Sequence, residues 1–280
     1  MAEIDITRIA GNIGAMNALN SLQGINKQLA TYQTRLATGK RINSAADDPA
    51  GLSIATKLQS RSEGLKVALG NIGDAKNLLA VAESGLSRIN DILLQMRNKA
   101  LQGASDTMGS AERDIIKTQL TAFAAQIDDL VDQTKWNDTK LLDSTTDFRF
   151  QTGADSSDAI TFTAISGIKA ADLEVEPSGI TTGSATAAEF TTYLGKVESA
   201  MTTINTKMSN LGSLIGRLSF KEDQVAAAQI NVEAAYNRIM NANMAEEQVN
   251  ASKYLILQQT ATAMLAQANT APQFLLSLFR

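Results

Sequence analysis

Six positions spaced by seven residues, Leu58, Leu65, Ile72, Leu79, Leu86 and Leu93, run through this chain without a break. A second row with the same period, Ala68, Ala75, Ala82, Ile89 and Met96, lies three residues further on. Together they form a heptad seam longer than ordinary surface helices sustain. Such a seam demands a partner helix, and the later half of the chain supplies one. Phe190, Leu194, Val197, Met201, Ile204, Met208, Leu211, Ile215 and Leu218 alternate in steps of four and three. The expected fold is mainly α, with long coiled-coil helices from both chain halves and a small β-hairpin insert.

Composition narrows the chemistry. The chain contains no His and no Cys, which removes disulfides, Cys/His zinc sites, thiol nucleophiles and imidazole bases. No catalytic, cofactor-binding or metal-ligating residue is therefore expected. Aromatic residues are only 5% of the chain, so Ala, Leu, Ile and Met must fill the core. The net charge of −4 comes without a dense Lys/Arg cluster, which argues against a nucleic-acid partner. No run of about 18 apolar residues offers a membrane span. The opening Met1–Ile6 is acidic and lacks the apolar stretch of a cleaved secretion signal.

Periodicity and turn chemistry divide the chain. Ala15, Ala18, Leu22, Ile25, Leu29, Tyr32 and Leu36 predict a first helix from about Ile13, stopped at Thr38-Gly39. Asp48-Pro49 reads as N-cap and first helical residue of a second helix reaching about Ala104. At ~50 residues, that helix is a rod of roughly 75 Å. After a Gly/Ser-rich break at 103–110, Ile116, Leu120, Phe123, Ile127 and Leu130 mark a third helix ending near Trp136. Phe148–Thr152 and Ile160–Thr163 alternate apolar and polar around Gly153–Asp158, the signature of a hairpin. The surrounding Ser144–Thr192 reads by composition as solvated loop, with its Ser and Thr as possible acceptors of O-linked sugars. Helical pattern returns over Thr186–Ala268 with a phase slip near Asn241–Asn243, after which Val249 and Ile256 resume the row. Lys253 is the only charge between Val249 and Phe279, which is unusual for a solvated tail. The apolar Phe274–Phe279 is too short for a membrane-inserting helix, so it reads as a surface for burial against other protein. Asp47-Asp48 admits a metal or acid–base reading, but with no further ligand nearby a cap and turn fits better.

Three stretches resemble bacterial flagellin. The first is Leu29–Leu58, with Arg35-Leu36-Ala37-Thr38-Gly39-Lys40-Arg41-Ile42-Asn43-Ser44-Ala45-Ala46-Asp47-Asp48-Pro49-Ala50-Gly51-Leu52. The second runs from Ala82-Glu83-Ser84-Gly85-Leu86 to Asn137-Asp138-Thr139-Lys140-Leu141-Leu142, and the third from Leu265-Ala266-Gln267-Ala268-Asn269 to Leu276-Ser277-Leu278. The chain is similar to a short form, in which only about Ser144–Thr186 separates the helical halves. One departure is the opening Ile9-Ala10-Gly11-Asn12, where Ile-Asn-Thr-Asn is common in the family.

The resemblance implies a structural subunit that polymerises into the helical flagellar filament used for swimming. It implies an inner terminal coiled-coil domain of residues 1–43 and 238–280. The outer helical-bundle domain would be 44–237, with its hairpin region at about 141–185. Leu22, Ile25, Leu29, Leu36, Val249, Ile256, Leu265, Leu275 and Leu278 become candidates for the filament core, with the terminal helices ordering on assembly. Arg41, Asn43, Asp47, Asp48 and Pro49 form the interdomain turn, where Lys40 and Arg41 would meet acidic groups of a neighbour. Implied partners are further copies of the chain, an export chaperone, the filament cap and hook-junction proteins. Type III export to the extracellular flagellum follows. Family members recognised by Toll-like receptor 5 carry Arg at the position of Gln95, Leu at Lys99 and Glu at Gln119. Only Arg97 is kept, so strong recognition is not expected. A hook–filament junction protein is the nearest alternative, and a coiled-coil adaptor forming small oligomers is a third reading. The zinc protease found within some flagellins needs a His-Glu-x-x-His helix, which a His-free chain cannot build.

Overall fold

The computed structural model describes the backbone of residues 12–278 and the side chains of residues 12–270. Five helices dominate: α1 Ile13–Thr38, α2 Pro49–Gly103, α3 Ser110–Gln133, α4 Ala187–Met240 and α5 Met244–Leu278. Two antiparallel pairs lie between α3 and α4: β1 Lys135–Trp136 with β2 Thr139–Lys140, and β3 Phe148–Gln151 with β4 Ala159–Phe162. The described residues divide into two compact units, one from 61–230 and the other from 12–60 with 231–278.

In the 61–230 unit the heptad seam becomes the core. Leu65, Ile72, Leu79, Leu86 and Leu93 are buried, as are Ala68, Ala75, Ala82, Ile89 and Met96. Returning α4 buries Phe190, Val197, Ile204, Leu211, Leu218 and Val225, again at intervals of seven. Three contacts fix the two helices antiparallel. Lys76 Nζ lies 2.8 Å from Glu222 Oε2 and Arg97 Nε 3.2 Å from Glu198 Oε1. The third is the Phe190 ring against Gly103, where an added Cβ would lie 2.5 Å from the ring. Only glycine permits that approach. Helix α3 adds Ile116, Leu120, Ala124, Ile127 and Val131; of the expected row, Phe123 and Leu130 are only half-buried, and Ala124 and Val131 beside them take the buried places.

The hairpin sits where alternation placed it, with Phe148 opposite Phe162 and Gln151 opposite Ala159. Asn71 Nδ2 donates to Gln151 O at 3.3 Å and ties it to α2. The shorter β1–β2 pair went unpredicted. Its turn places Asn137 and Asp138 at φ 46° and 63°, the double positive φ of a type I′ hairpin. Two-residue strands carry too little alternation to announce themselves.

The solvated-loop expectation for Ser144–Thr192 is corrected. Ile165, Ile168, Ala170, Leu173, Val175, Pro177, Ile180 and Ala185 are buried. With no strands or long helix over 163–186, that segment needs other partners for its backbone, and α3 and α4 supply them. Asp128 Oδ1 accepts from Ala170 N at 2.8 Å, and Asp114 Oδ2 from Gly183 N at 2.9 Å. Lys117 Nζ donates to Ile180 O, and Tyr193 Oη donates to Val175 O at 2.6 Å.

The other unit contains both described ends. Asn12 Oδ1 accepts from Ala15 N at 3.0 Å and caps α1. Gly39, at φ 68°, takes the left-handed position that ends it. Asp48 Oδ1 accepts from Gly51 N at 2.8 Å, with Pro49 opening α2. Ile42, Ala55 and Met240 form a small core with Leu52, Tyr236 and Ile239 packed against it. The anticipated phase slip is a full break, since α4 ends at Met240 and α5 begins at Met244. Helix α5 then continues past Ala268 to Leu278 and carries Pro272 inside it.

Candidate assembly surfaces

Helices α1 and α5 pair antiparallel. Four side-chain contacts join them in sequence order. Asn12 Nδ2 donates to Ala268 O at 2.9 Å, and Gln258 Nε2 to Asn26 Oδ1 at 2.7 Å. The rings of Tyr32 and Tyr254 stack with centroids 5.2 Å apart, and Arg35 Nη1 lies 3.5 Å from Glu247 Oε1. The α5 edge of this seam therefore runs Glu247, Ala251, Tyr254, Gln258, Ala261, Leu265 and Ala268, again in steps of four and three. Its α1 edge holds buried Leu29 and half-buried Leu22, Ile25 and Leu36.

Of the residues selected from sequence as filament core, Leu22, Ile25, Leu29, Leu36 and Leu265 thus gather at the seam within one chain. Val249 and Ile256 do not. They are 68% and 61% exposed, and Met264 beside them is 60% exposed. Leu275 and Leu278 fall on α5, but their side chains lie outside the described residues, as do residues 1–11. On α1, Ile13, Met16 and Leu19 are also exposed, Met16 at 68%. Sequence reasoning missed these three because it selected the row with the cleanest heptad phase. The α5 edge of the seam is rich in small and polar residues, and several bulky apolar side chains of both helices lie outside the seam.

The predicted turn is a tight hydrogen-bonded unit. Asp47 Oδ2 accepts from Asn43 N at 3.0 Å and Ser44 N at 2.9 Å. The Ser44 amide, then the Asn43 amide, holds the Asp47 carboxyl below its usual pKa. Asn43 Nδ2 donates to Lys40 O at 2.9 Å. Arg41 closes the end of α4, with its Nε and Nη2 donating to Ile239 O at 3.2 and 3.1 Å. Asp47 and Asp48 cap and turn, and among the described residues no group of three or more acidic side chains could hold a metal ion. No described helix is long and apolar enough to cross a membrane.

The surface considered for receptor recognition lies in the 61–230 unit. Gln95 and Gln119 are exposed, Lys99 is half-buried, and Arg97 is paired with Glu198.

Residues 9–147 match the bacterial flagellin N-terminal helical region, and residues 194–279 match the C-terminal helical region. Flagellin of Halalkalibacterium halodurans is 34% identical over 96% of this chain and 98% of its own length. Flagellin of Bacillus subtilis is 31% identical over 98% of this chain and its full length. The chain belongs to the bacterial flagellin family. It is a structural subunit of the flagellar filament, self-polymerising, and not an enzyme. The two matched regions stop at the hairpin and resume within α4, so the hairpin and irregular segment fall between the parts that define the family. A solved structure described as a flagellar hook-associated protein of Vibrio parahaemolyticus shares the fold. It superposes with a TM-score of 0.55 over 70% of this chain and all of its own, at 16% identity.

Proposed function

We propose that α1 and α5 together form the polymerising element of the filament, with other copies covering the apolar side chains that the α1–α5 seam leaves outside. The exposure of Val249, Ile256 and Met264 on α5, matched by Ile13, Met16 and Leu19 on α1, carries this reading. Burying one such side chain gains about 1.5–3 kcal/mol, and a helical polymer repeats that gain at every subunit. In this arrangement the described ends of residues 1–43 and 238–280 are the inner domain and 44–237 the outer one. Leu22, Ile25, Leu29, Leu36, Leu265, Leu275 and Leu278 belong to the inner domain with Val249 and Ile256, and Arg41–Pro49 joins the two domains.

The chain leaves the cell by type III export and joins the extracellular filament beneath the cap. A cytoplasmic chaperone masks its charge-poor C-terminal end, and hook-junction proteins seat the first subunits. Recognition by Toll-like receptor 5 is weak, because exposed Gln95 and Gln119 and half-buried Lys99 do not match the recognised set.

Electron microscopy of purified chain on short filament seeds tests the polymerising role, beside a form cut to residues 44–237. Long filaments from the full chain alone are expected. Growth from the truncated form would remove the ends from the mechanism, and small discrete oligomers from both would replace polymer with adaptor.

A further inference from the structure

Given that other copies cover the apolar side chains of α1 and α5 as proposed above, we infer that Met16 and Met264 are oxidation sites. Through them, hydrogen peroxide blocks addition of the chain to a filament until the sulfoxides are reduced. The chain has nine Met and no Cys, so the thioether is its only sulfur. Met96 is fully buried, and Met240 belongs to the small core with Ile42 and Ala55. Met108, Met201 and Met208 are half-buried. The exposed methionines among the described residues are Met16 on α1 and Met244 and Met264 on α5. They share those two helices with exposed Ile13, Leu19, Val249 and Ile256, and none of them lies in the 61–230 unit.

Two of the three sit at one height. Asn12 Nδ2 donates to Ala268 O at 2.9 Å, at the end of the pair away from the Lys40–Asn241 bridge. In an antiparallel pair, the residues one turn inward from this contact are Met16 on one helix and Met264 on the other. Peroxide therefore has two targets within a single turn of the open end.

The reaction asks nothing of the protein but access. A sulfur lone pair attacks one peroxide oxygen, and an S–O bond forms as the O–O bond breaks. The departing hydroxide takes the proton left on the transferred oxygen and leaves as water. Sulfur is oxidised by two electrons and the peroxide is reduced by two. The product replaces a flexible apolar side chain with one that carries a hydrogen-bond acceptor. In unassembled chain, water solvates the new oxygen, so the fold tolerates it. Under a neighbouring copy that water is lost, and covering a polar group without a donor is unfavourable. Leu19, Val249 and Ile256 present comparable apolar bulk but no oxidisable atom. The effect is one-sided, since a sulfur already covered in a filament is out of reach of peroxide. Oxidation stops growth without dismantling what has grown.

Full-length chain is treated with hydrogen peroxide before seeding, and its sulfoxides are located by peptide mass mapping. Its critical concentration is then measured by sedimentation. Met16 and Met264 should oxidise at least about tenfold faster than Met96. The critical concentration should rise at least about tenfold. Methionine sulfoxide reductases A and B together, one for each sulfoxide epimer, should restore it. Chain carrying Met16→Leu and Met264→Leu should keep its critical concentration within about twofold through the same treatment. An unchanged critical concentration with both sites fully oxidised would overturn the inference, as would equal losses in native and leucine chains. Should the leucine chain fail to polymerise untreated, the reductases decide on the unmutated one, where sulfoxides removed without recovery overturn the inference. Peroxide applied to finished filaments tests the covering itself. Protection of Met16 and Met264 by at least about tenfold is expected. Oxidation as fast as in unassembled chain would mean that no copy covers them, and the covering and the inference would fall together. Protection combined with normal growth of oxidised chain would sink the inference alone.

Discussion

The Tyr193 hydroxyl donates to the Val175 carbonyl at 2.6 Å, in a place from which water is largely excluded. Removing it leaves a buried acceptor unpaired. Tyr193→Phe should therefore destabilise the chain by about 1–2 kcal/mol in denaturant unfolding, whereas a cost near zero would mean the carbonyl finds another donor. Burial pushes the phenol above its ordinary value of 10.0. The folded chain keeps this proton after the unfolded chain begins to release it. The contribution is thus complete below about pH 10 and declines as pH rises beyond it. Ultraviolet titration of the four tyrosines should show one that resists ionisation until unfolding, and Tyr193→Phe should abolish that late phase. Tyr193 was not legible in advance, because its value depends on a carbonyl from an irregular segment. The caps were legible, since Gly39 and Asp48-Pro49 act through neighbours within four residues.

Individual elements show where periodicity informs and where it misleads. Along α2 the apolar rows beyond Leu58 are also the buried rows. On α4, Phe190, Val197, Ile204, Leu211 and Leu218 are buried, but Leu194, Met201, Met208 and Ile215 are only half-buried, with Tyr193, Ala200 and Leu214 beside them buried instead. Helix α5 is apolar on more than one face. Its bulkiest row, through Val249 and Ile256, was read as the seam continuing, yet the seam runs through Ala251, Tyr254, Gln258 and Leu265. Size alone cannot say which of two apolar faces meets the partner within the chain. The Ser144–Thr192 segment misled in the opposite sense. Its Ser, Thr and Gly content hid spaced Ile, Leu and Val residues that α3 and α4 receive. The two faces of α5 should separate by mutation. Ile256→Gln should leave intact the helicity of the chain and the Tyr32–Tyr254 stack. It should raise the critical concentration for filament growth roughly tenfold to a hundredfold, matching about 1.5–3 kcal/mol of lost burial. Sedimentation of polymer at several concentrations measures this, and an unchanged critical concentration would place Ile256 on a solvated face of the filament.

For the molecule as a whole, burial is distributed very unevenly. The 61–230 unit has continuous buried rows on three helices, whereas Leu29 is the only buried apolar residue of α1. Fixing the backbone of one residue costs about 1–2 kcal/mol, and isolated helices gain their stability mainly from packing an apolar face. The α1–α5 pair has little of that packing within one chain and several large side chains still uncovered. Assembly would supply the remainder, so order in the ends should be linked to polymer formation. Amide exchange compares the two states of the same chain. In unassembled protein, α2–α4 within 61–230 should protect strongly while α1 and α5 exchange within seconds to minutes. In filaments α1 and α5 should slow by at least about a hundredfold, with 61–230 changing far less. Limited proteolysis should follow the same division, trimming unassembled chain toward residues 44–237 and sparing filaments. Strong protection of α1 and α5 before assembly would mean that their own seam suffices to fold them. The exposed apolar faces would then be docking surfaces presented by a finished element, and polymerisation would gain affinity by avoiding the ordering cost rather than by coupling to it.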